Sequence, residues 1–393
     1  MILKAHTLEL SFHQKNDRRR EDRMLNLLIV EDDERQIKLY KDAIEEFNSR
    51  SDIRIESKTS SNLEEGLKQI RNNDFDAAII DLRLGSGDME GKGKEIIREI
   101  KSNLRLPVFV LTGYPGDLEE DLKKENIFYR VYKQTEKDTL EVLREISSIY
   151  KTGITNIMGR KGIIDSTLQK VFWENFAETM DYWITQIEDG KKVEKVLSRH
   201  ILAHLSESLK LTEEGEFEKC HPAEVYIMPP IKKDYFTGDI LKNINSGEYF
   251  LILTPACDMV LRKQKSGEGW VTYRNADEII LAKLVEFTGV EEISRYIENP
   301  SNTKKGEVEK YIRNTKKEKY HYLPSFGSRI QGFLVDFQDI NRIKPEELSI
   351  YERVASVDEP FLKDIIARFT SYYARQGSPD FDMDIILKKL ING

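Results

Sequence analysis

The chain has 393 residues, and its 61 lysines and arginines against 69 aspartates and glutamates give a formal charge of −8. This acidic balance makes nucleic acid an unlikely partner, because binding to phosphate backbones depends on excess positive charge. No apolar run reaches membrane-spanning length, and the first residues lack the apolar core of a signal peptide. Two cysteines, Cys220 and Cys257, are too few for a disulfide framework. We therefore expect a cytoplasmic protein of two or three domains without a membrane partner.

The first 23 residues are polar and charged, and they include the basic run Arg18-Arg19-Arg20. Such a composition predicts a disordered extension. Met24 stands directly before the first strand-like run, so translation from Met24 is a second interpretation of this segment. We assign no function to residues 1–23.

Residues 24–150 alternate between short apolar runs and segments with helical periodicity. The apolar runs predict five strands, at residues 25–30, 53–55, 75–80, 107–112 and 128–133. Apolar residues at helical spacing predict helices near residues 34–48, 63–70, 96–100, 118–125 and 139–150. This alternation is typical of an α/β fold with a doubly wound parallel sheet of five strands.

Polar residues follow these predicted strands. Glu31 and Asp32 end the first strand, Asp81 the third, Thr112 the fourth and Lys133 the fifth. In a parallel sheet these residues share one edge, where three carboxylates repel one another unless a cation is bound. Mg²⁺ is the usual choice for carboxylate ligands and phosphate, and a hydroxyl and a lysine are suited to contact phosphoryl oxygens. The cluster is suited to phosphorylation of an aspartate.

On these residues, segment 24–150 resembles a receiver domain of two-component response regulators, which has a flavodoxin-like fold. The resemblance implies that Asp81 is the phosphoacceptor and that Glu31, Asp32 and Asp81 hold Mg²⁺. It also implies that Thr112 and Lys133 contact the phosphoryl group. The partner that it implies is a histidine kinase or a histidine-kinase-like ATPase.

The segment departs from the receiver pattern at three places. Arg130 stands where the family usually has an aromatic residue, and Gln134 replaces the usual proline after the lysine. A glycine-rich loop at residues 86–93 replaces the usual proline after the acceptor strand. These changes leave the chemistry of phosphorylation intact and concern the aromatic switch alone.

Residues 151–164 are rich in glycine and predict a linker, and residues 165–212 predict a helical hairpin with large aromatic side chains. Such a hairpin is suited to homodimer formation or signal transmission, with plain core packing as an equal alternative. His200 and His204 have the spacing of a metal-binding pair, although ordinary interface histidines are the favoured interpretation. A phosphorelay role for His200 is a further, weaker hypothesis.

Residues 213–345 carry short β-rich runs separated by turn residues, which predict an α+β domain with a small barrel-like or sandwich-like core. Within it, residues 297–319 are polar and rich in lysine, and we expect an exposed excursion there. Residues 346–393 predict a C-terminal helical segment, with its main helix opening at Pro360.

The β-rich segment contains one site-like stretch, in which Cys257 and Asp258 follow an apolar strand. A cysteine nucleophile needs a base, and His221 or His321 could supply one across the fold. The favoured interpretation is a buried cysteine next to an aspartate that caps a turn. This half of the chain distantly resembles extensions of receiver domains in signalling or phage-defence gene clusters.

We therefore expect a signalling protein that a partner kinase phosphorylates on Asp81, with an output domain that does not bind DNA. An effector enzyme with its chemistry in residues 213–345, controlled by the receiver, is the main alternative. A receiver-like adaptor that is never phosphorylated is the third hypothesis, because of Arg130 and Gln134. The pattern leaves open whether the downstream half is an enzyme.

Overall fold

The computed structural model describes residues 24–84, 92–185, 190–212, 215–266, 269–375, 377 and 379–392. The chain divides into two compact units, Met1–Glu218 and Lys219–Gly393. The predicted extension at residues 1–23 and most of the glycine-rich loop lie outside the described residues. No helix among the described residues combines the length and the apolar character that crossing a membrane requires.

The first unit is built on a parallel sheet of five strands. The strands are β1 (Met24–Val30), β2 (Arg54–Ser60), β3 (Ala77–Ile80), β4 (Val108–Thr112) and β5 (Tyr129–Lys133). Their order is β2-β1-β3-β4-β5, and every neighbouring pair is parallel. All residues of β3 and β4 are buried, as expected of strands covered on both faces. The predicted α/β fold class is confirmed.

Helices cover both faces of this sheet. They are α1 (Glu34–Arg50), α2 (Leu63–Asn72), α3 (Lys92–Asn103) and α4 (Thr139–Lys151). Because side chains alternate along a strand, Leu27 and Ile29 join the apolar layer under α1 and α4. Leu28 and Val30 join the layer under α2 and α3. One short strand thus contributes to two cores and is fixed in register by both.

The predicted helix at residues 118–125 is wrong. The structure has two short 3₁₀ turns there, Pro115–Asp117 and Glu120–Leu122. The carboxylate of Asp117, which directly precedes the predicted helix, pairs with Arg83, with Nε 2.8 Å from Oδ2. Leu118 has an extended backbone and is buried together with Leu122, so packing against the sheet overrides the local helical pattern.

The rest of the first unit is helical. It contains α5 (Ile154–Met158), α6 (Ile163–Lys170), a π-helical turn (Val171–Phe176), α7 (Met180–Thr185) and α8 (Gly190–Leu209). The segment predicted as a linker therefore includes α5, and Arg160 Nη1 donates to the carbonyls of Ile70 and Arg71 at 2.8 and 2.9 Å. The first arm of the predicted hairpin is interrupted, because the π turn breaks its regular helix.

The second unit contains an antiparallel sheet of seven strands, which curls into a half-barrel. The strands are β6 (Tyr226–Ile227), β7 (Asp239–Asn243), β8 (Tyr249–Ile252), β11 (Ile279–Glu286), β12 (Tyr320–Leu323), β13 (Phe333–Ile343) and β14 (Tyr351–Val357). Their order is β12-β13-β11-β8-β7-β14-β6. Two further strands, β9 (Arg262–Ser266) and β10 (Gly269–Tyr273), form a separate exposed ribbon. The predicted α+β class of this half is confirmed.

The helices of this unit correct two predictions. They are α9 (Ala256–Met259), α10 (Glu291–Glu298), α11 (Asn302–Ile312), α12 (Glu359–Ala374) and α13 (Met383–Asn392). Residues 297–319 are more than an exposed excursion, because α11 buries Val308 and Tyr311. The predicted helical segment 346–393 is wrong at its start, because β14 lies inside the sheet between β7 and β6. The sequence of β14 mixes polar and apolar residues and is no clear strand by itself. Pairing with β7 and β6 holds it in the strand conformation.

Candidate functional site

The carboxyl ends of β1 and β3 bring three acids together. Val30 pairs with Ile80 in the sheet, and Asp81 donates its backbone N–H to the Val30 carbonyl at 2.9 Å. One carboxylate oxygen each from Glu31, Asp32 and Asp81 lies within 4.8 Å of the other two. Among the described residues, this is the only group of three or more histidine, cysteine or acidic side chains close enough to hold a metal ion.

Glu31 is the buried member of this cluster, with 3% of its surface exposed. Its Oε1 accepts the Asp33 N–H at 3.2 Å, whereas Oε2 has no hydrogen-bond partner among the described residues. Burial, with the nearby charge of Asp81, raises the pKa of Glu31 to about 7. Burial also raises the pKa of Asp81, and the charge of Asp32 adds to this effect.

These observations fit a divalent cation. Hard cations such as Mg²⁺ prefer carboxylate oxygens, and the buried Oε2 of Glu31 is an oxygen ligand without a partner. A cation among these groups favours their charged forms, so it opposes the burial that raises the pKa values of Glu31 and Asp81. The donor set therefore suits Mg²⁺ with Glu31, Asp32 and Asp81 as its protein ligands.

The other two predicted site residues lie at the same edge of the sheet. Thr112 ends β4 and is fully buried, and its side chain lies near Asp81, where it partly opposes the rise in the pKa of that carboxyl. Lys133 ends β5 directly opposite Thr112 in the strand register. Lys133 is exposed, and no ion pair joins it to the acids within the described part of the chain. All five polar strand ends thus share one edge.

Tyr40 is a site residue that the sequence did not single out. It lies on α1 with 2% of its surface exposed, and the Gln134 side chain lies near its hydroxyl and opposes the rise of its pKa. Burial and the charge of Glu31 raise the pKa of Tyr40. The backbone N–H of Gln134 donates to the Thr112 carbonyl at 3.1 Å, a bond that proline could not make. The departure at position 134 is the only signal in the sequence for this connection.

Gly93 is a second residue whose role the sequence did not show. It lies in the first turn of α3, and a Cβ added there would be 2.1 Å from the Asp81 carbonyl oxygen. Only glycine allows the helix to approach the backbone of the acceptor this closely. Gly93, the last residue of the predicted glycine-rich loop, thus has a packing function next to Asp81.

Arg83 and Tyr114 form the rim of the site. Arg83 comes two residues after Asp81, and Tyr114 comes two residues after Thr112. The Arg83 guanidinium carbon lies 3.4 Å from the centre of the Tyr114 ring. Arg130, at the position of the expected aromatic residue, lies in β5 opposite Phe109. Its Nε is buried without a hydrogen-bond partner among the described residues.

The predicted output site is not assembled around a cysteine and a histidine. Cys257 is exposed on α9, with Sγ 3.6 Å from Oδ1 of Asp258, so the interpretation as a buried cysteine is wrong. Nδ1 of His221 accepts the Ala223 N–H at 3.2 Å, which occupies that nitrogen in a 3₁₀ cap. Within the described residues, no hydrogen bond joins His221 to Cys257.

His200, His204 and His321 have packing roles. His321 is buried, its Nδ1 lies 3.7 Å from Oδ2 of Asp364, and burial lowers its pKa to about 4. The rings of His200 and His204 lie 4.8 Å apart, and each lies 5.5 Å from the Phe176 ring. This aromatic packing is what the interpretation as interface histidines predicts.

No protein-family model matches the chain, and no curated protein matches it either. Solved receiver domains match about a third of it. A response regulator receiver domain from Methylobacillus flagellatus is 18% identical over 31% of this chain and 98% of its own, with a TM-score of 0.25. The receiver domain of a Francisella response regulator is 22% identical over 33% and 98%, with a TM-score of 0.25. Response regulator TrrA of Thermotoga maritima, in complex with Mg²⁺-BeF, is 23% identical over 31% and 99%, with a TM-score of 0.24.

Proposed function

We propose that this chain is a response-regulator-like signalling protein that accepts a phosphoryl group on Asp81. The donor is a histidine kinase or a histidine-kinase-like ATPase, and the cofactor is Mg²⁺. The observation that carries the proposal is the acidic cluster, in which Glu31 Oε2 is buried without a partner and Asp81 lies against Thr112. Such an unbalanced cluster is stable in its charged form only with an added cation.

The residues have distinct roles in the proposed transfer. A carboxylate oxygen of Asp81 attacks phosphorus, the new O–P bond forms as the N–P bond of the donor phosphohistidine breaks, and the imidazole keeps the electron pair. Bound Mg²⁺ supplies charge neutralisation for the phosphoryl oxygens. Thr112 donates its hydroxyl to a phosphoryl oxygen, and Lys133 neutralises a second one. In the phosphorylated protein this hydrogen bond replaces the interaction of Thr112 with the free Asp81 carboxylate.

The signal can leave the site without the aromatic residue that Arg130 replaces. Thr112 is bonded through its carbonyl to Gln134, whose side chain contacts Tyr40 on α1. Movement of Thr112 toward the phosphoryl group therefore shifts Gln134 and changes its contact with Tyr40 on α1. We place the output in the second unit, without DNA binding, and an association with phage defence stays a prediction.

The test is incubation of the purified protein with acetyl phosphate and Mg²⁺, followed by intact-mass measurement and phosphate-affinity gels. We expect one added phosphoryl group, which Asp81→Asn abolishes. Asp33→Asn is the matched control, because Asp33 caps α1 next to the cluster and asparagine caps a helix equally well. Equal labelling of wild type and Asp81→Asn contradicts the proposal.

The same experiment decides the adaptor hypothesis, which requires that no phosphoryl group is accepted. The effector-enzyme hypothesis is not part of our proposal, because the described residues do not bring a histidine to Cys257. If an activity is found in the second unit, Cys257→Ala tests whether the exposed thiol takes part in it.

A further inference from the structure

The second unit has an apolar groove between its sheet and α12, with a cavity volume of about 850 Å³. Apolar side chains of the sheet form one wall and apolar side chains of the helix form the other. The main ones are Ile227, Leu253, Ile280, Leu362, Ile366 and Phe369. An open apolar surface of this size is unfavourable in water, so it indicates a binding site.

The C-terminal helix α13 has an apolar face of its own. The large residues of this face follow the spacing i, i+3, i+4, i+7 and i+8, and they are Met383, Ile386, Leu387, Leu390 and Ile391. They are between 37% and 82% exposed. This spacing is that of an amphipathic helix that binds in a hydrophobic groove. The chain therefore contains both an apolar groove and a helix of matching character.

In this structure α13 does not occupy the groove of its own copy, because none of its residues lines that groove. Arg375 ends α12, where its guanidinium pairs with the Glu318 carboxylate and its Nε donates to the Tyr372 carbonyl at 3.0 Å. The apolar face of α13 is thus exposed in its own copy.

The charges also suit a helix laid along the groove. Two acids and two lysines line the groove, and Glu359 pairs with Lys363 at 3.2 Å. Asp358, at the start of α12, has no ion pair within the described residues, and α13 has Lys388 and Lys389 near its C-terminal end. A helix antiparallel to α12 brings these opposite charges toward each other. Oppositely charged groups at the edge of an apolar contact favour one orientation of the partner.

We propose that α13 of one copy occupies the groove of a second copy, and that the exchange is reciprocal. Two chains then form a closed twofold dimer in which each helix face and each groove is buried. The exchange uses residues of the second unit only, so it does not depend on phosphorylation of Asp81. The sequence analysis offered the helical hairpin as the contact of a homodimer. The exchange of α13 provides a different contact.

The first test compares two substitutions on α13 by light scattering and sedimentation of the full chain. Leu387 and Ile385 are similarly exposed, at 50% and 54%, but Ile385 lies outside the apolar face. We expect Leu387→Asp to raise the dimer dissociation constant at least about 100-fold, because a charge replaces a buried leucine. Ile385→Asp should leave it within about 3-fold of wild type. Far-ultraviolet circular dichroism checks that both variants fold.

The second test places a charge in the groove and then mixes the variants. Thr370 lies at the groove and its neighbour Ser371 does not, and both are exposed on α12. We expect Thr370→Arg to weaken the dimer at least about 10-fold and Ser371→Arg to leave it unchanged. A mixture of Thr370→Arg and Leu387→Asp should regain a heterodimer, because the first supplies an intact helix and the second an intact groove.

Three outcomes overturn the proposal. One is a monomeric wild type at concentrations up to about 100 µM, a weak limit for a specific dimer. Another is a dimer that Leu387→Asp and Thr370→Arg leave unchanged, since another surface then holds it. The last is a crosslink between α13 and the groove that occurs within single monomers, which shows that the helix occupies its own groove.

Discussion

The two units of the molecule bury carboxylates in different ways. In the first, Glu31 is buried next to Asp32 and Asp81, and one of its oxygens has no hydrogen-bond partner among the described residues. In the second, Asp239 is fully buried and satisfied from several sides. It accepts the Ser356 hydroxyl at 2.6 Å and the Phe236 N–H at 2.7 Å, and it pairs with Arg353 at 3.2 Å.

The difference separates a carboxylate that holds the fold together from one whose surroundings suit an added cation. A buried charge is costly unless it is paired, so the partners of Asp239 within the unit explain its burial completely. Asp239 joins β7 to β14, because Arg353 and Ser356 belong to β14. Glu31 lacks such a partner, which is what a site for an added cation requires. The predictions below test this contrast, from the largest expected effect to the smallest.

Asp239→Ala should lower the free energy of unfolding of the second unit by about 3 kcal/mol, because it leaves the buried Arg353 guanidinium without its acid. Urea denaturation measures the loss, and hydrogen exchange should locate it in β7 and β14. Ser356→Ala, which removes one hydrogen bond to the same acid, should cost only about 1 kcal/mol. Equal effects of the two substitutions contradict a structural ion pair at Asp239.

His321 gives the second unit a stability that falls in acid. Burial lowers its pKa from 6.5 to about 4. Above pH 6.5 the folded and unfolded states are both neutral at this group. Between pH 6.5 and 4 only the unfolded state takes up the proton, so about 3 kcal/mol of stability is lost as the pH falls.

The measurement is the free energy of unfolding of the second unit at several pH values between 7 and 4. His321→Gln should remove most of this pH dependence, because the buried group can then no longer take up a proton. His204→Gln is the control, since His204 is only partly buried and belongs to the first unit. A slope that persists in His321→Gln contradicts the assignment.

Glu31 should give the first unit a pH dependence of the opposite sign. Its pKa is raised from 4.5 to about 7, so its contribution to stability is complete below pH 4.5 and is lost as the pH rises through 7. Without divalent cations, we expect a loss of about 2 kcal/mol between pH 5 and 8, which Glu31→Gln removes.

Adding Mg²⁺ at pH 8 should restore the stability of wild type and leave Glu31→Gln little changed, because binding to the folded state stabilises it. Glu34→Gln, an exposed change in the first turn of α1, is the matched control. If Mg²⁺ stabilises wild type and Glu31→Gln equally, then Glu31 is not a ligand.

Much of the first unit and its site was predictable because the information is local or periodic. Apolar runs predicted the five strands, and helical spacing predicted the helices between them. The polar residues at the strand ends were predicted to share one edge of the sheet, and they are Glu31, Asp32, Asp81, Thr112 and Lys133. The prediction works since all carboxyl ends of a parallel sheet meet on the same side. No such rule connects the strands of the curled antiparallel sheet, and β14 was missed for this reason.

The sequence by itself determined the class of the first unit and which polar residues gather at its edge, because strand period and chain order decide both. Only the tertiary structure decided how deeply each of them is buried. It also decided that Oε2 of Glu31 has no hydrogen-bond partner among the described residues, while Asp239 has several. It also showed Gly93 against the Asp81 carbonyl, and Gln134 between Thr112 and Tyr40. These features depend on contacts between residues far apart in the chain, and local propensity carries no information about them.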